Sequence, residues 1–276
     1  FLYRTHGDFS ALALFGVAQS VLALALVLVI WFFGYYGLCL RLAVTNLFLM
    51  ALLWHWRPVR VPPKWGREQL LHLLKIGAPI FGVGVLSSWW AVLDSTLVLK
   101  EMGTTGLGLY ALVGMTNQAM TLLSQAVSSI CYPRMAEQFG RTGSYRDCLR
   151  IAFKPCLCLL AGMAPVAAAT WWVSPLLITH LLPKYREAIP AVQWAAVGAV
   201  ALSLDPLNNA YNIVMRQDLY AVCIAIGMLS YFLCLRYLLS SGGALSAFPI
   251  SMLVGHLFFM SSSGLFLHHL WRKHKA

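Results

Sequence analysis

The chain has 276 residues, of which 60% are hydrophobic and 11% charged, with a net charge of +11. Soluble domains carry about 25% charged residues, so this composition excludes an ordinary soluble enzyme and points to a polytopic membrane protein. The excess charge does not imply nucleic acid, because the basic residues sit in short loops between apolar runs.

Residue 1 is Phe and no cleavable signal precedes the first apolar run. The chain therefore reads as the later part of a longer protein, or as an excised piece of one. About 20 residues cross the hydrocarbon core. On that scale eight spans are expected: Phe9–Phe33, Tyr36–Trp56, Ile76–Val98, Leu107–Cys131, Ile151–Trp172, Ala188–Met215, Leu219–Leu238 and Leu245–Leu270. With eight spans, fifteen of the 20 Lys and Arg fall on the side of the N-terminus and four on the other, with Arg41 inside a span. That asymmetry puts both termini in the cytoplasm. Aromatic belts agree, with Trp31–Tyr36 and Trp171-Trp172 at outer boundaries and Trp54 and Trp56 at an inner one.

Between the second and third spans, residues 57–69 are rich in Pro and charge and read as a cytoplasmic linker. Arg67–Lys75 reads as a short amphipathic helix at the inner interface. Residues 133–150 form a polar inner loop with a Gly-containing centre that suits mobility.

Polar side chains inside the spans are the candidate site residues, since lipid cannot satisfy them. Ser87, Trp90 and Asp94 share one face of the third span. Asn117, Thr121, Ser124 and Ser128 form a stripe on the fourth, with Gln118, Gln125 and Ser129 beside it. The sixth carries Asp205, Asn208, Asn209 and Asn212. Three such rows favour a shared polar cavity over isolated interhelical hydrogen bonds, which small polar residues also make. Asp205 with the Asn oxygens either binds a coupling cation or proton, or Asp205-Pro206 opens the inner turn. Asp94 is either a second coupling acid or a solvated group near the outer boundary. Arg41 either snorkels or meets an anionic substrate. Trp90 stacks on a sugar ring or packs in the core, and His256 relays protons or is a hydrogen-bonded core residue. His268, His269, Arg272, Lys273 and Lys275 make a basic tail for anionic headgroups. The seven cysteines include no C-x-x-C pair, and neither they nor the histidines show metal spacing, so no metal and no cofactor is expected. No P-loop, nucleophile elbow or H-E-x-x-H occurs, so an enzyme is not expected.

Several short motifs then carry a resemblance. Lys75-Ile-Gly-Ala-Pro79, an acid late in the span at Asp94, Gly106-Leu-Gly108-Leu-Tyr110 and Cys131-Tyr-Pro-Arg134-Met-Ala-Glu137 follow one another in order. Together they resemble the polysaccharide and O-antigen flippases of the multidrug/oligosaccharidyl-lipid/polysaccharide exporter superfamily. Asn212–Gln217 resembles the inner turn of that pattern but lacks its usual glycine, with Met215-Arg216 in its place. The resemblance implies an all-α bundle with residues 1–56 ending a first lobe, 57–69 as linker and 70–276 as a second six-helix lobe. It implies a transporter in the bacterial cytoplasmic membrane, working by alternating access on a polyisoprenyl-linked oligosaccharide. Arg41 or Arg134 would meet the diphosphate, and H+ or Na+ would couple through Asp94 or Asp205. The alternatives are a cation-coupled drug exporter of the same fold and, in another class, a membrane glycan polymerase or acyltransferase. No outer loop is long enough to house the latter's site.

Overall fold

Apolar runs of this length have one way to satisfy their backbone in lipid, which is to close every hydrogen bond within a helix. The computed structural model describes residues 9–56 and 66–273, and among them every extended element is helical. The helices are α1 (Phe9–Ala25), α2 (Val27–His55), α3 (Arg67–Thr142), α4 (Tyr145–Leu181), α5 (Ile189–Ala201), α6 (Asn209–Ile213), α7 (Gln217–Ser240) and α8 (Ala247–Lys273). Short 3-10 segments, Pro183–Ala188 and Leu202–Asn208, flank α5. Six stretches are long and apolar enough to cross a membrane. One of them doubles back at Gly103, and α1 runs on through the start of α2 to a reversal at Gly34, which together account for the eight passes expected from hydropathy. The chain is a multi-pass membrane protein.

The first reversal is at Gly34, whose φ of 53° and ψ of −124° no L side chain adopts comfortably. A Cβ on Gly37 would strike the Val29 carbonyl and lie 2.8 Å from the Ile30 Cα. Residues eight apart in a straight helix would stand about 12 Å apart, so the chain has folded back. The Phe15 and Trp56 rings, 5.7 Å apart, close the other end of this hairpin. The second reversal is at Gly103 (φ 70°, ψ −170°), which divides α3 into residues 67–102 and 104–142.

The described parts of Phe1–Gly66 and Arg67–Ala276 form two separate compact units. Residues 57–65, which carry most of the expected linker, lie outside the described residues, as do His6, His274 and Lys275.

Within the second unit, two expectations are corrected. Arg67–Lys75 is not a separate interfacial helix: helical geometry continues through Gly77-Ala78-Pro79 to the bend at Gly103. Pro79 removes one donor, but the surrounding apolar turns keep the rod intact. Residues 133–150 are likewise no loop. The helix runs to Thr142, Gly143 (φ 62°) ends it, and Ser144 caps the next through the Asp147 N–H at 3.4 Å.

The bundle is centred on Pro183–Ile213, where Ala191, Ala195, Ala196 and Ala199 are all buried. Such small side chains let neighbouring helices approach closely. Closest of all are α7 and α8. A Cβ on Gly255 would lie 2.9 Å from the Gly227 carbonyl oxygen and 2.9 Å from Trp90 Cζ2. Trp90 therefore fills a notch that exists because both glycines lack a side chain.

Three prolines sit inside α4, at 155, 165 and 175. Pro175 offers no N–H to the Trp171 carbonyl, and the Gln193 amide donates to that oxygen at 2.9 Å instead. The Leu202 carbonyl, in the 3-10 segment that carries Pro206, accepts from the Ser124 hydroxyl at 2.9 Å. At Trp171 a side chain from a neighbouring helix thus repairs the backbone where proline opens it.

Candidate functional site

The acid on the first arm of α3 is fully engaged. Tyr110, just past the Gly103 reversal, donates to Asp94 Oδ2 at 2.6 Å. Tyr231 of α7 donates to Oδ1 at 2.7 Å. Asp94 is 5% exposed. It is not a solvated group at the boundary but a clasp joining both arms of α3 to α7. A carboxylate in an apolar bundle needs such donors, because each lost partner leaves an uncompensated polar atom.

Trp90, one turn earlier, shares the buried face with Asp94. Its ring meets His256 at 5.2 Å and Phe259 at 6.3 Å between centroids. Trp90 Nε1 and His256 Nδ1 are buried with no partner among the described residues. His256 is half-buried against Trp90, and its Nδ1 carries no hydrogen bond among the described residues. Ser87, expected on this same face, is exposed. A spacing of three from Trp90 rotates it far enough to leave the narrow buried stripe.

The row on the second arm of α3 divides in the same way. Asn117 and Thr121 are half-buried, Ser124 is buried and Gln125 is exposed. Thr121 bonds back to the Asn117 and Gln118 carbonyls of its own helix. Ser128 accepts from Asn209 Nδ2 at 2.7 Å, bringing the second and third polar rows together.

Asp205 lies in the 3-10 segment Leu202–Asn208, within the span 183–213 rather than at an inner turn. Asn208 Nδ2 donates to its Oδ1 at 3.0 Å and is, among the described residues, its only donor. Asn208 Oδ1 in turn accepts from Ser263 of α8 at 2.5 Å. Tyr211 donates to the Ser263 carbonyl at 3.0 Å. The two acids therefore differ in kind: both oxygens of Asp94 are held by phenols, whereas Asp205 is held on one side by one amide. An aromatic series links the two regions. Tyr211 stacks on Tyr220 at 5.3 Å, Tyr220 meets Phe259 at 5.9 Å, and Phe259 meets Trp90.

Arg134 is exposed on α3, and Arg41 is half-buried in the first unit. Cavities of about 1030, 1030 and 540 Å³ open on the described residues of the second unit. None of the three is lined by Asp94, Asn117 or Asp205. Among the described residues, Ser124, Ser128, Asn208 and Asn209 are engaged with other polar side chains or with backbone, while Ser87, Gln118 and Gln125 are exposed.

Sequence reasoning named Asp94, Asp205, Asn208 and Asn209 as candidates but did not name the partners Tyr110, Tyr231, Tyr211 and Ser263, nor Gln193. Tyr110 ends a motif already conspicuous in the sequence. Tyr231 is 137 positions from its partner, and no local pattern marks it. Gln193 was findable in principle, because a mid-span proline announces a carbonyl that needs a donor.

A family model described as polysaccharide biosynthesis protein matches residues 2–190. A search of curated proteins finds no match. Among solved structures, a mutant of the Vibrio cholerae MATE transporter VcmN is similar, with a TM-score of 0.66 and 17% identity. The alignment covers 99% of this chain and 65% of that one. At that identity the likeness is one of fold.

Proposed function

The chain belongs to the polysaccharide biosynthesis protein family, and we propose from that premise that it moves a lipid-linked oligosaccharide across the bacterial cytoplasmic membrane. It acts as a transporter and not as an enzyme. Residues 1–56 end one lobe, 57–69 are the linker, 70–276 are the second lobe, and both termini face the cytoplasm. The lobes rock against each other to give alternating access. The sugar passes along the polar groups that the second unit does not use internally, Ser87, Gln118, Gln125 and the half-buried Asn117, while the polyisoprenyl tail stays in lipid. Arg41 or Arg134 meets the diphosphate.

The observation that carries this reading is an underpartnered acid on a broken mid-membrane helix, in a chain of this family and fold. An intramembrane acid is costly, and interrupted helices are where transporters bind ions. Asp205, with Asn208 and Asn209 beside it, therefore takes the coupling H+ or Na+. Asp94, saturated by two phenols, holds the bundle together.

Surface glycan in a strain carrying Asp205→Ala tests the assignment, with protein level as control. Loss of glycan at normal protein level is expected, and full export would remove the role of Asp205. A second reading, a cation-coupled drug exporter, is favoured by the likeness to a MATE transporter fold. Drug efflux lost on deletion with surface glycan intact would select it.

A further inference from the structure

One cavity on the second unit has a composition that the proposed transport path does not use. It is a groove of about 1030 Å³ between the start of α4 and the end of α8. Its walls are apolar, with Leu149 and Phe153 on one side and Leu267 on the other. Its rim carries Arg146, Arg150, Lys154 and His268, and no lining residue is acidic. Arg146, Arg150 and Lys154 are four apart on one helix, so they line one face over about 12 Å.

These cations are little engaged. Arg150 reaches Asp147 only at 3.7 Å and its side chain is 64% exposed. Arg146 lies over the Trp271 ring at 5.7 Å, which ties α4 to α8 without neutralising the charge. Lys154 is exposed. Pro155, also in the lining, offers no N–H to the Ile151 carbonyl beside it. The groove therefore combines an apolar trough, a line of cations and an acceptor that proline denies its helical donor.

We propose that this groove holds an anionic glycerophospholipid of the cytoplasmic leaflet, its phosphodiester against Arg150 and Lys154 and an acyl chain along Phe153 and Leu267. A soluble anion would leave the trough wet, and a zwitterionic lipid would leave the cations unanswered. A hydroxyl-bearing headgroup such as glycerol would also donate to the Ile151 carbonyl. Basic pockets between spans on the cytoplasmic side suit such headgroups. The inference uses the orientation proposed above but not the nature of the cargo.

Native mass spectrometry of the detergent-purified protein with phosphatidylglycerol and chain-matched phosphatidylcholine tests it. Phosphatidylglycerol is expected to bind at least tenfold more tightly. Arg150→Gln with Lys154→Gln should weaken it about 30-fold, roughly fivefold per charge, and Lys154→Gln alone about fivefold. Arg141→Gln with Arg216→Gln, outside the groove, should leave binding within twofold. Equal loss in that control pair would mean diffuse surface charge and overturn the proposal. So would equal binding of phosphatidylcholine, or displacement of the lipid mole for mole by a polyprenyl diphosphate, which would give the groove to the cargo.

Discussion

Removing the Asp94 carboxylate separates a structural clasp from a coupling site. Asp94→Ala leaves the Tyr110 and Tyr231 hydroxyls buried without their acceptor. An orphaned buried donor costs about 1–3 kcal/mol, so two give about 2–6 kcal/mol. Measured interhelical bonds in membranes average about 0.6 kcal/mol, which favours the lower half of that range. Tyr231→Phe removes one donor and leaves the other in place, so about 1 kcal/mol is expected. The informative variant combines Asp94→Ala with Tyr110→Phe and Tyr231→Phe. Deleting both sides of a hydrogen bond costs less than deleting one, so the triple variant should recover about 1–3 kcal/mol relative to Asp94→Ala. Reversible unfolding in mixed micelles, with increasing denaturing detergent, reads these differences. A triple variant less stable than Asp94→Ala would refute the clasp, as would Asp94→Ala no costlier than Tyr231→Phe.

Three further outcomes follow from the packing. Gln193→Ala should cost about 1 kcal/mol in the native background and close to nothing beside Pro175→Ala, where a restored N–H serves the Trp171 carbonyl; a double-mutant cycle by unfolding measures it. Gly255→Ala should cost about 1–3 kcal/mol by overpacking against Gly227 and Trp90, whereas Gly114→Ala, with open space at its Cβ, should be neutral or mildly stabilising. Met215 alone among the described non-glycine residues has a positive φ, 59°. It closes α6 with the Arg216 N–H on the Tyr211 carbonyl at 2.9 Å, the helix end that usually carries glycine. Met215→Gly should relieve about 1–2 kcal/mol of left-handed strain less about 0.5–1 of chain entropy, a small gain that Met215→Ala should not show in the same unfolding assay.

Hydropathy, charge asymmetry and glycine punctuation were enough to locate the spans, because bilayer thickness imposes length and lipid imposes helix. The reversals at Gly34 and Gly103 fall where apolar runs meet glycine or aromatic clusters. The missing glycine at Met215 was also visible, and the backbone there is left-handed as a glycine would be. What the chain order hid was partnership. Periodicity puts Trp90 and Asp94 on one face but says nothing of Tyr231, which arrives from another helix. Nor does it tell a stripe that binds from one that braces: Ser124 looks like a pore residue until its hydroxyl is seen to donate to the Leu202 carbonyl of another span. The amphipathic look of Arg67–Lys75 misled because a rod emerging from the bilayer has the same pattern as one lying on it.

The most direct test of the account is flipping by the purified protein in sealed vesicles, using a polyprenyl-diphosphate oligosaccharide whose sugar is cleaved by an added glycosidase only on the outer face. Protein and a proton or sodium gradient together should expose the sugar held inside. Asp205→Asn should abolish the gradient dependence, while Tyr231→Phe, normalised to folded protein, should keep it. Sugar that stays protected with wild-type protein, or gradient-driven exposure that survives Asp205→Asn, would contradict the account.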